Sequence, residues 1–376
     1  MEISEARELF PHIKKGIIYF NHASTAPLNT KVIDKINEYV IEFSETKIDD
    51  ISNIIKALKE TKNDIALMIN SSPDRIAFVD NTSNGLNILA QGIKWEKGDR
   101  VLLNDVEFPA NVYPFLNLKK EGVEVDFVKS QNGIVTAEDV IENLKPETKL
   151  VSISQVQFLS GYRVYLEKIG KVCRDKEIIF SVDAIQGLGA VKLDVTKSNI
   201  DFISCGTQKW LLGLPGLAFI YISKQLQEQL EPKYVGWLSV ENPWDRLNYQ
   251  QKLKSSANCF QNGTISYIGI YALNTSIQLF KEIGFDKIEK QVIENSIYFI
   301  NELDKIGIKS SLKDCDEKYL AGITAFKHEK REKIFKQLGE KNIRLSLREG
   351  MIRFSPHFYN TGDEIDIIIN ELKKVI

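Results

Sequence analysis

Four segments of the chain place polar side chains directly after apolar runs. In Phe78-Val-Asp-Asn-Thr-Ser-Asn-Gly-Leu-Asn87 a strand ends near Asp80, and Thr82 and Ser83 stand where a helix begins. Hydroxyls beside the free N–H groups of a first turn make a seat for an anion, although a plain helix cap uses the same residues. In Ser181-Val-Asp-Ala-Ile-Gln-Gly-Leu-Gly189, Asp183 ends a buried strand, where a charged carboxylate is costly unless paired. It either caps a helix starting at Ala184 or meets a cationic nitrogen of a ligand. In Asp201 to Gly216, Lys209 stands alone among small and apolar residues. Burial there lowers an amine's pKa and makes it a Schiff-base former, unless the side chain snorkels to water. Arg353, within the apolar run Met351 to Phe354, either lies on an edge strand or points inward and needs a carboxylate.

The elements that must position these residues follow from the apolar pattern. Helical stripes run over Asn29 to Phe43 and Ile51 to Met68. Short apolar runs at 75–79, 100–103, 123–128, 149–154, 178–182, 202–204 and 217–222 read as strands, with helices at 84–91, 112–120, 137–144 and 166–175 between them. Alternation of this kind predicts a mostly parallel sheet flanked by helices, with ligands at the carboxyl ends of the strands. After about residue 255 the pattern changes. A long helical stretch is expected from Ile265 to Ile306, then strands at 322–326, 343–347 and 351–355 and helices at 331–338 and 362–375. The expected fold is therefore α/β, with a large domain over residues 16–255. A small α+β domain would comprise residues 256–376 with 1–15.

Composition narrows the function. Lys plus Arg number 49 against 51 Asp plus Glu, so the chain lacks the basic excess of a general nucleic-acid binder. The four cysteines, Cys173, Cys205, Cys259 and Cys315, form no C-x-x-C pair, and no zinc site or disulfide framework is expected. The charged N-terminus carries no apolar signal core and no run is long enough to span a membrane, so a cytoplasmic protein is expected. No G-x-G-x-x-G follows a strand, which disfavours a nicotinamide oxidoreductase.

An anion seat, a buried Asp, a Lys and a late Arg together match what pyridoxal phosphate and an amino-acid substrate require. The chain resembles the class V aminotransferases, the fold-type I pyridoxal-phosphate group that includes cysteine desulfurases, kynureninases and isopenicillin N epimerases. The resemblance runs from Tyr19-Phe-Asn-His-Ala-Ser24 to Phe358-Tyr-Asn-Thr361. It rests on Asp183-x-x-Gln186-x-x-Gly189, Gln208-Lys209 before a Gly/Pro-rich turn, Phe260-x-x-Gly263-Thr264 and Arg353-x-Ser355. It implies that Lys209 forms the Schiff base and moves a proton at the substrate, and that Asp183 keeps the pyridine nitrogen protonated. Gln186 would meet the ring's phenolic oxygen, Phe108 would stack on the ring, and Thr82, Ser83 and Gln208 would hold the phosphate. Gly263 and Thr264 would reach the phosphate of a neighbouring subunit, implying a homodimer with shared sites. Arg353 would bind the substrate carboxylate, and Asn21, His22 and Ser24 would line the substrate side.

The sequence departs from the desulfurase pattern. Desulfurases carry a nucleophilic Cys on a loop before the carboxylate-binding Arg; here only Arg348, Glu349 and Gly350 join the two strands. Gln208 and Phe108 stand where desulfurases usually have His. Gly161-Tyr-Arg163 with Leu166-Glu167 fits the aminotransferase or epimerase-like branch, and Val235 to Trp244 would form a site wall or dimer contact. The expected activity is an aminotransferase. The alternatives are a C–S or β-lyase of the cysteine desulfurase or selenocysteine lyase type, an epimerase, or a non-catalytic relative.

Overall fold

The computed structural model describes the whole chain, Met1–Ile376. A two-residue strand, β1 (Ile18–Tyr19), and the helices Thr30–Glu45 and Ser52–Met68 precede the main sheet. That sheet is built from β2 (Ile76–Val79), β3 (Arg100–Asn104), β4 (Glu124–Val128), β5 (Thr148–Ser154), β6 (Ile179–Asp183), β7 (Phe202–Gly206) and β8 (Ala218–Ile222). Their spatial order is β2-β8-β7-β6-β5-β3-β4. All neighbours among β3 to β7 pair in parallel; β8 is antiparallel to both β7 and β2. The reversal has a simple cause. The connection from Gly206 to Ala218 is shorter than a parallel crossover requires, so β8 must return beside β7.

The central strands are apolar on both sides because helices cover both faces. Leu102, Val151, Phe180, Val182, Ile203 and Phe219 enter one apolar cluster, while their neighbours Val101, Leu150, Phe202, Ala218 and Ile220 enter another on the opposite face. The period-2 alternation of strand side chains separates the two cores.

The C-terminal layer holds β9 (Thr324–Lys327), β10 (Ile343–Arg344), β11 (Ser346–Arg348) and β12 (Met351–Phe354). β12 lies between β9 and β11 in an antiparallel sheet, and β1 pairs in parallel with β10. The N-terminal segment thus contributes to this layer through Ile18 and Tyr19, past the expected boundary at residue 15. The helical stretch expected from Ile265 to Ile306 is two helices, Tyr267–Ile283 and Phe285–Lys305. They break at Gly284, whose φ of 98° glycine adopts without strain. The first of them, expected with the small domain, buries Leu273, Ile277 and Phe280 in the same cluster as the large sheet.

The layers meet at Trp210, a fully buried ring next to Lys209. A Cβ at Gly322, just before β9, would collide with this ring. Gly322→Ala should therefore cost about 1–3 kcal/mol of stability, seen as a lower urea midpoint; an unchanged midpoint would show that the contact is soft.

Candidate active site

The ends of β2, β6 and β7 open onto a cavity of about 470 Å³, within the size range of small-molecule sites. Its wall brings together Thr82, Ser83, Phe108, Asp183, Gln186, Gln208, Lys209 and Arg353, residues far apart in sequence. Ser24 joins them from the N-terminal segment.

The anion seat forms where β2 passes into the helix Thr82–Gly92. Asn81, not Thr82, caps that helix: its Oδ1 accepts the Asn84 N–H at 2.9 Å. The Thr82 hydroxyl is consequently buried without any partner. A Cβ on Gly206 would stand 3.1 Å from this hydroxyl oxygen and 2.7 Å from Gln208 Oε1, so the missing side chain leaves a gap between the two. An orphaned buried hydroxyl, a side-chain amide and a first helical turn around a gap fit a phosphate.

Asp183 ends β6, and a turn rather than a helix follows it, so the helix-cap reading for this carboxylate falls away. Its Oδ1 accepts the Ile185 N–H at 3.0 Å. Burial pushes its pKa up and the charge of Glu107 adds to this, while the Ile185 N–H and Lys209 oppose it. Lys209 is 8% exposed and has neither a hydrogen-bond partner nor a carboxylate within ion-pair distance. Burial lowers its pKa, against the pull of Asp183. The Nζ lies 5.5 Å from the centroid of the Phe108 ring, which packs edge-to-face on Phe158.

Arg353 is 2% exposed. Its guanidinium donates to Ser346 Oγ and Ser24 Oγ, each at 3.0 Å, and to the Phe158 carbonyl at 2.5 Å. It forms no ion pair, and two of its five N–H groups remain unused. Burial, then the nearby charge of Arg348, brings its pKa down to about 10.

The structure does not bring every expected residue to the cavity. Asn21 and His22 are off its wall. His22 is fully buried, with Nδ1 on the Ser355 carbonyl and Nε2 on the Tyr359 hydroxyl, so it has no ring nitrogen left for a substrate. Asn21 acts one step back: its Oδ1 accepts the Ser24 hydroxyl, which in turn accepts from Arg353. Gln186 spans Ala23 and Trp210, accepting the indole N–H at 2.9 Å and donating to the Ala23 carbonyl, which leaves one amide N–H free. Thr264 and Gly263 line a separate cavity with Asp80 and Asn84, not the one containing Lys209.

Glu107 is a residue that sequence reasoning missed. It is buried, and its carboxylate collects donors from Asn104, Asn111, Gln157 and both the N–H and hydroxyl of Ser154. It anchors the turn that presents Phe108. The signal was a charged residue between a strand end and an aromatic, but beside the local Asn104 and Asn111 its partners Ser154 and Gln157 come from the end of β5 and just past it.

The chain is similar to known proteins along nearly its whole length. The family model "Aminotransferase class-V" matches residues 18–368. An uncharacterized aminotransferase, YcbU of Bacillus subtilis, is 26% identical over 369 residues, covering 97% of this chain and 96% of that protein. A probable cysteine desulfurase of Methanothermobacter thermautotrophicus is 28% identical over 404 residues, covering 100% and 98%. Among solved structures, the apo cysteine desulfurase of Thermococcus onnurineus superposes with a TM-score of 0.90 at 23% identity, covering 100% of this chain and 98% of that one.

Two outcomes follow from the site. Thr82→Val should weaken pyridoxal-phosphate binding about tenfold, since it deletes one hydrogen bond to a charged group, read by reconstitution titration. His357 donates from Nε2 to the Trp210 carbonyl and accepts the Phe358 N–H at Nδ1, and burial brings its pKa from 6.5 down to about 4. The unfolded chain binds more protons across that interval, so stability is full above pH 6.5 and falls as the pH drops toward 4. Urea midpoints between those pH values should decline, and His357→Gln should flatten the decline.

Proposed function

The chain belongs to the class-V aminotransferases, and from that premise we propose that it is a pyridoxal-phosphate-dependent aminotransferase acting on an α-amino acid. The observation that carries this reading is that the cavity contains no thiol. Cys173 and Cys259 are buried elsewhere, Cys205 is fully buried on β7 near Asp183 and Lys209 but off the wall, with burial pushing its thiol well up, and Cys315 is also off the wall. Burial pushes the Cys173 thiol up to about 12 and that of Cys259 to about 11, whereas a sulfur-abstracting nucleophile must be an accessible thiolate. The two-residue turn before Arg353 leaves no loop on which such a Cys could ride.

When bound, pyridoxal phosphate supplies an aldehyde that captures amines and a ring that accepts an electron pair. Thr82, Ser83 and Gln208 would hold its phosphate, Asp183 would keep a proton on its ring nitrogen, and Phe108 would cover one ring face. Gln186 would turn its free N–H to the phenolic oxygen. Lys209, released by the incoming amine, would take the proton from the substrate's Cα. Its lowered pKa leaves part of it unprotonated and able to act as that base. The two unused N–H groups of Arg353 would bind the α-carboxylate, with Ser24 and Ser346 holding the guanidinium in place. The protein is proposed to work in the cytoplasm as a homodimer in which Thr264, exposed and away from its own subunit's cavity, completes the phosphate seat of the partner.

The decisive experiment follows the visible band of the loaded enzyme as single amino acids are added. Transamination should bleach the band until an oxo acid restores it, with one oxo acid formed per cofactor converted. A band that recovers unaided while sulfide or pyruvate accumulates would make the enzyme a lyase. Lys209→Ala should lose the borohydride-fixable link to the cofactor. Arg353→Ala should raise KM for α-amino acids roughly tenfold to a hundredfold, the range expected for losing charge-assisted hydrogen bonds.

A further inference from the structure

Arg348 has no part in the chemistry above, yet it lines the same cavity as Lys209 and Arg353. The register places it there. β11 and β12 pair Ser346 with Arg353 and Arg348 with Met351. Residues two apart on a strand, and residues directly opposite across a pair, share one face. Ser346, Arg348, Met351 and Arg353 therefore share one face of the hairpin, from which Arg348 and Arg353 reach the cavity. Diagonal neighbours of this kind have Cα atoms about 7–8 Å apart.

Arg348 is exposed at the rim and forms neither a hydrogen bond nor an ion pair. Its charge contributes, after burial, to lowering the pKa of Arg353, and it adds a smaller push on Lys209. Its backbone is not on a mobile lid. Glu349 and Gly350, with φ of 46° and 76°, form a two-residue turn whose positive φ pair is that of a tight hairpin. Two guanidinium groups held on one face without an acid between them repel each other, and a ligand with two anionic ends relieves both.

We propose that the cavity selects an amino acid with a second anionic group, a carboxylate in the simplest case, seated on Arg348 while its α-carboxylate sits on Arg353. The proposal rests on the aminotransferase reading for the role of Arg353. Glu349 shares the rim and works against a dianion. It sits at the turn rather than on the strand face, and it is paired with neither Arg348 nor Arg353. The reaction that supplies or consumes this substrate would accordingly handle dicarboxylic amino and oxo acids.

Non-reacting carboxylates test the seat without turnover. On the cofactor-loaded protein, succinate should bind at least about tenfold tighter than propionate by calorimetry, the advantage of a second charge-assisted contact. Arg348→Gln should bring that ratio close to one, and Glu349→Gln should raise it. In the reaction, aspartate or glutamate should outrun alanine by kcat/KM. Equal affinities for succinate and propionate, a ratio untouched by Arg348→Gln, or a preference for lysine or ornithine would each overturn the proposal. Failure of the aminotransferase reading looks different: succinate discrimination would persist in a protein that yields no oxo acid. Loss of all carboxylate binding in the unsubstituted protein would overturn both.

Discussion

Lys209 and Arg353 are cations held almost entirely out of water with no carboxylate in ion-pair distance. Removing a charge from water without a partner is among the most expensive things a fold can do. Here the cost is softened by two serine hydroxyls and a main-chain carbonyl on Arg353, and by the more distant charge of Asp183 on Lys209. Neither cation is fully satisfied from within the chain. The cavity therefore presents a standing demand for an anion and for a carbonyl that can react with an amine, and the scaffold exists to keep that demand unmet until a ligand arrives.

Trp210 shows how the scaffold does this. Its indole N–H is held by Gln186, its carbonyl by His357, and its ring is pressed against Gly322. Gly189, at a φ of 102°, passes so close to the Trp210 carbonyl that a side chain would collide with it. The residue next to Lys209 is thus gripped by the main sheet's connections on one side and by the C-terminal layer on the other. Precision at Lys209 comes from this packing rather than from a hydrogen bond to the amine itself, which leaves the amine free for chemistry.

In the proposed reading, the tight turn between β11 and β12 leaves no loop for a nucleophilic thiol on an otherwise shared scaffold. Relatives of similar length include a protein named as an aminotransferase and others named as cysteine desulfurases. Chemistry on a common cofactor is steered by the few groups above it. The cavity wall of this chain offers Arg353, Arg348 and the two phenylalanines, Phe108 and Phe158, and no sulfur.

Much of this was legible in the residues. Continuous apolar strands announced a sheet buried on both faces, and strand ends marked Thr82, Asp183 and Lys209, because a polar residue just past a buried run has few places to go. The break at Gly284 was visible only as one glycine in a helical run, and the reversed β8 only as a short connection. What the sequence could not show is which side of a strand faces the cavity. His22 matched the motif, yet the pairing of Asn21 with Ser355 turns it into the aromatic core among Trp210, His357 and Tyr359. Glu107 and Arg348 gained their positions from partners in other strands and from register. Residue types and their order determined the family and its chemistry. Facing, depth and pairing, which decide whether a charge is a ligand seat or a solvated surface group, arise only when distant strands are set side by side.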